Sequence, residues 1–101
     1  MMTFSGIGDL LAHQDAFPES GWIFVEKSFD TTSEKDIREG RFYIAQDDDE
    51  KFDLEETHCT WLEAPMFQAI VGERLEKNPA APVGELIAAA VYYLDKDTFM
   101  P

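Results

Sequence analysis

Basic residues are scarce in this chain: of 101 residues, 8 are Lys or Arg against 21 Asp or Glu, a formal net charge of −13. A surface this acidic repels phosphate backbones and anionic lipid headgroups, and no Lys/Arg stripe exists to track either. Direct binding to nucleic acid or membrane is therefore not expected. A basic macromolecule or a divalent cation is favoured by the same Coulomb argument. Cysteine is rarer still. The one thiol, Cys59, has no partner for an intrachain disulfide, unlike the stapled scaffolds of small secreted domains. Met1-Met2-Thr3-Phe4-Ser5-Gly6 carries no basic n-region, and no apolar run approaches the length of about 18 residues that marks a membrane span. The cytosol is the expected compartment.

The spacings that carry common chemistries are missing as well. His13, His58, Cys59 and the carboxylates are suitable ligand types for zinc, yet there is no Cys-x-x-Cys, His-x₃-His or His-Glu-x-x-His. Asp47 and Asp49 open an alternation like that of an EF-hand loop. That loop needs Gly at its sixth position and Glu at its twelfth, and counting from Asp47 these are Phe52 and His58. Ser5-Gly6-Ile7-Gly8-Asp9 is too short for a phosphate-binding loop and lacks the preceding strand and the lysine. His58 and Cys59 are adjacent, so on a strand they point to opposite faces and share no proton; a buried structural thiol is the expectation for Cys59. No cofactor, metal or catalytic residue is assigned, and the protein is not expected to be an enzyme.

What the chain does have is apolar and aromatic content: 45% hydrophobic and 13% aromatic, with 8 Phe, 2 Trp and 3 Tyr. That is enough for a packed core in one domain over residues 1–101. Phe4, Ile7, Leu10 and Leu11 recur at helical spacing and predict a first helix over residues 5–15, ended by Pro18 and Gly21. Trp22-Ile23-Phe24-Val25 predicts a strand buried on both faces or at a sheet centre, and Arg41 to Ala45 a second, antiparallel to it. Glu26 to Glu39 would connect them with about one helical turn. Thr57 to Leu62 predicts a third strand, with Cys59 and Trp61 on one face and His58, Thr60 and Leu62 on the other. A helix starts at Pro65 and stops at Asn78-Pro79. The last helix carries Val83, Leu86, Ile87, Ala90, Val91 and Leu94 on one stripe, with Tyr92 and Tyr93 facing different ways and Phe99 able to fold back on the core. The expected fold is α+β: an antiparallel sheet of about three strands, with an N-terminal helix and two C-terminal helices on one face.

Nearly half of the net charge is local. Asp47, Asp48, Asp49, Glu50, Asp53, Glu55 and Glu56 stand against one lysine, Lys51, a net −6 over residues 47–56. A self-repelling block of this kind predicts a solvated loop or sheet edge. Its neighbours include Phe52, Trp61 and Met66. An acidic rim around an aromatic anchor is the composition of a surface that captures a basic protein, the charge setting the on-rate and the aromatic supplying the buried contact. The expected partner-binding residues are the seven carboxylates with Phe52 and Trp61.

Several features resemble small acidic bacterial immunity proteins, especially the CdiI-type proteins of contact-dependent growth inhibition and related families encoded beside toxin genes. They are Gly21-Trp22-Ile23-Phe24, the segment Asp47 to Glu56, Ala64, Phe67, Ile70-Val71, Leu75 with Asn78-Pro79, then Leu86, Ala90, Tyr92-Tyr93 and Asp97-Thr98-Phe99. The resemblance implies a cytosolic protein that binds and neutralises a toxin domain, commonly a nuclease, without catalysis. The charge also fits a second class, a nucleic-acid mimic that sequesters a DNA-binding protein, whose carboxylates would be spaced along an elongated face.

Overall fold

The computed structural model describes residues 1–101. Four strands, β1 (Met2–Ser5), β2 (Trp22–Glu26), β3 (Arg41–Ile44) and β4 (His58–Glu63), form one antiparallel sheet in the order β1-β3-β2-β4. Five helices accompany it: α1 (Gly6–Ala12), α2 (Glu34–Glu39), α3 (Asp48–Thr57), α4 (Ala64–Lys77) and α5 (Val83–Lys96). The class is α+β as expected, with four strands rather than about three.

The additional strand is β1. Phe4 fits the helical spacing of Ile7 and Leu10, which is why residues from Ser5 onward read as helix. In the fold Phe4 instead pairs with Phe42 across the β1–β3 ladder. The chain leaves the strand and enters α1 directly at Gly6, whose φ is +80°. A Cβ there would overlap the Arg38 carbonyl oxygen, so only glycine fits, and the Gly6 N–H donates to the Gly40 carbonyl at 2.6 Å. The first helix is accordingly shorter than expected, ending at Ala12 and followed by a single 3₁₀ turn over Gln14–Ala16.

β2 is central, bonded to β3 on one side and β4 on the other, and Ile23, Phe24 and Val25 are all buried. Its link to β3 contains α2, capped by Ser33, whose hydroxyl accepts the Asp36 N–H at 3.2 Å. β4 departs from the expected alternation. Trp22 pairs with Glu63 but Phe24 with Thr60, so β4 carries an extra residue between these pairs. Both Trp61 and Leu62 therefore enter the main core, whereas Leu62 was expected opposite Trp61.

Ile23, Val25, Phe42, Ile44 and Phe4 face that main core, covered by side chains from α1, α2, α4 and α5. Pro65 lies in the first turn of α4, and α4 and α5 pack on each other. Arg74 of α4 is buried and straps the C-terminal residues: its Nη2 donates to the carbonyls of Met100 and Pro101, and its Nη1 lies 3.7 Å from Glu85. Phe99 folds back on Tyr93, with ring centroids 5.8 Å apart. No helix is long and apolar enough to cross a membrane.

Candidate protein-binding surface

The acidic segment is a helix, not a loop or edge. Asp47 caps α3 by accepting the Glu50 N–H at 2.9 Å, and Asp48, Asp49 and Glu50 occupy the first turn. Carboxylates that repel one another in an extended run are favourable there, because they face the positive end of the helix dipole. Lys51 and Glu55 add an i,i+4 pair at 3.8 Å. Glu50 is tied on two sides: Oε1 accepts the Gln46 N–H at 2.9 Å, and Oε2 meets the Met1 ammonium at 2.6 Å. The ammonium contact first, and the Gln46 N–H second, hold the Glu50 carboxyl below its ordinary range.

α3 lies on the sheet face opposite the other helices, a correction to the expectation of helices on one face only. Leu54 is its only buried residue, and it packs on Phe24 and Tyr43 in a small second core. The sequence hides this arrangement because a single leucine gives a helix no visible apolar period.

The aromatic anchors are distributed differently from expectation. Phe52 is 63% exposed. Trp61 is 3% exposed, stacked among Phe42 (4.8 Å) and Phe67 (5.7 Å), and offers no surface to a partner. The face of the sheet explains the difference: Trp61 lies on the main-core face with Val25, while Trp22 lies on the Phe24 face beside α3. Trp22 is 38% exposed and lines a depression of about 150 Å³ with Phe24, Asp47, Asp48 and Lys51. A neighbouring hollow of about 220 Å³ is lined by Asp48, Lys51, Phe52 and Glu55. Asp48 and Lys51 belong to both, so Trp22 and Phe52 flank one continuous acidic surface. The signal for Trp22 was its place on the Phe24 face of β2, obscured by four consecutive apolar residues.

Both hollows are smaller than the roughly 300–1,000 Å³ of small-molecule and cofactor sites, and suit single side chains of a protein partner. Asp47, Asp48, Asp49, Asp53, Glu55 and Glu56 are exposed, and Glu50 is half-buried. No group of three or more His, Cys, Asp or Glu side chains is placed to hold a metal ion. Cys59 is exposed rather than buried, because β4 is an outer strand that leaves its first residues uncovered. His58 turns to the other side, with its ring on Tyr43 at 4.7 Å and Nδ1 2.7 Å from the Thr57 hydroxyl. No family model matches the chain, and neither curated proteins nor solved structures yield a significant match.

Proposed function

We propose that the protein binds a basic protein domain through α3 and Trp22 and thereby neutralises it, acting as a non-catalytic immunity protein against a toxin, with a nuclease as the favoured target. The observation that carries this reading is the capped, exposed acidic helix flanked by two exposed aromatics, Trp22 and Phe52. A nuclease cleft attracts phosphate oxygens and attracts carboxylates on the same grounds. The toxin-neighbour assignment itself rests on the sequence resemblance, and the cytosol is the compartment it proposes.

The test is co-expression with a candidate toxin domain, chosen as the product of any toxin gene found beside this one, read by growth protection and by association kinetics. Replacing Asp48, Asp49 and Asp53 by Asn should slow association and flatten its salt dependence. Trp22→Ala should raise the dissociation rate, at a cost of about 2 kcal/mol in affinity, the scale of an interface hot spot. Unaltered kinetics in both variants would remove this surface from the interface. Binding to several unrelated DNA-binding proteins, in place of one toxin, would favour the nucleic-acid mimic.

A further inference from the structure

A second surface lies across the sheet from α3. Every residue of α5 from Leu86 to Leu94 is apolar or aromatic, more than one core-facing stripe requires. Leu86, Ile87, Ala89 and Ala90 are buried, but Ala88 is exposed and Val91 and Tyr92 are half-buried. The helix therefore carries apolar side chains on a second stripe beyond the one that faces the core.

The uncovered residues, with the edge of buried Ile87, line a groove. Gly84, Ile87, Ala88, Val91, Tyr92 and Asp95 recur at i, i+3, i+4, i+7, i+8 and i+11 and line one depression of about 640 Å³. Along the helix this stripe spans about 16 Å, or three turns, at a rise of about 1.5 Å per residue. Thr32, Glu34 and Met100 complete the lining, and the Arg74 guanidinium donates to the Met100 carbonyl. The ionisable rim is acidic: Glu34 and Asp95 line the groove, and no Lys or Arg does. Both carboxylates have a cation beside them, Arg38 at 3.1 Å from Glu34 and Lys96 at 3.4 Å from Asp95, in exposed pairs weak enough for a partner's cation to replace.

We propose that this groove docks a basic amphipathic helix of a partner protein, its apolar row lying along α5 and its Lys or Arg side chains meeting Glu34 and Asp95. A three-turn apolar trough between charged rims matches helix-in-groove recognition, with anchors at i, i+3 or i+4, and i+7. A second copy of this chain is the wrong occupant on charge. It would bring Glu34 and Asp95 against their own equivalents, and −13 against −13. Because α3 packs on the opposite side of the sheet, both surfaces can be occupied at once.

The probe is a synthetic leucine/lysine peptide of about 18 residues, five helical turns, with its leucines on one face; a scrambled peptide of equal composition is the control. Titrated into the intact protein, the amphipathic peptide should shift the methyl resonances of Ile87, Ala88 and Val91. Ala88→Glu fills the trough from an exposed helical position while adding negative charge, so electrostatics alone would strengthen binding. The expected result is weakening by about tenfold or more. The methyl shifts in the unaltered protein give a reading that does not depend on this variant folding. Equal binding of the scrambled peptide, shifts confined to Trp22 and α3, or affinity unchanged by Ala88→Glu would each overturn the proposal. So would a dimer of the free protein that Ala88→Glu dissociates, which would identify the occupant as a second copy.

Discussion

Glu50 shows how one side chain can be both part of a charged surface and a structural fastener. Its two oxygens join the Met1 ammonium to the start of α3, so among the seven carboxylates of residues 47–56 it is the least free to meet a partner. Because folding lowers its pKa, its contribution to stability is complete above the ordinary value of 4.5 and disappears as pH falls below that through the lowered one. Glu50→Gln should therefore be less stable than the parent in denaturant titrations at neutral pH, and the difference should close in the acid range below 4.5. A gap that persists there would assign the loss to packing or amide geometry. Trp22 and Trp61 carry a related lesson at this scale. Both are tryptophans near the acidic block, in space or in sequence, and the face of the sheet each occupies decides which reaches the surface.

Among the elements, α4 and α5 were legible in the sequence because each repeats an apolar residue every three or four positions over 14 residues. β2 and β3 were legible as short β-branched and aromatic runs, and the turn between them held the expected helix. β1 was not: it has four residues, one of them buried, and its apolar spacing continues without a break into α1. α3 was missed for the opposite reason, an excess of charge with one apolar contact. A ten-residue helix this polar would be marginal alone in water and depends on tertiary anchoring, here on Leu54. Leu54→Ala should lower global stability by about 2 kcal/mol, near the small end for a buried leucine because α3 can loosen by itself. Hydrogen exchange should show the α3 amides opening well before those of β2. Simultaneous loss of protection in both elements would mean that α3 is integral to the cooperative core.

For the molecule as a whole, the layout of the candidate surface was half legible. The acidic segment and Phe52 could be named from sequence, but placing them on a helix beside Trp22 required the sheet order. The net charge of −13 works against the compact state everywhere. Screening shortens its reach to about 10 Å at 0.1 M salt and about 3 Å at 1 M. Raising sodium chloride over that range should increase the denaturant midpoint of the free protein. A decrease would mean that the ion pairs of Met1 with Glu50 and of Arg74 with Glu85 outweigh the repulsion.

Gly6 and Gly40, far apart in the chain, share a hydrogen bond, and each stands where a Cβ would strike a carbonyl oxygen, of Arg38 and of Asp36. They set a boundary on how such a chain can diverge. Asp49, Asp53 and Glu56 lie in water and can be exchanged at little cost to the fold, unlike Asp47 and Glu50, which cap and tie α3. Gly6 and Gly40 admit no side chain where they stand, so any replacement at either must move the backbone carbonyl it would strike and, through their shared hydrogen bond, the other chain reversal as well.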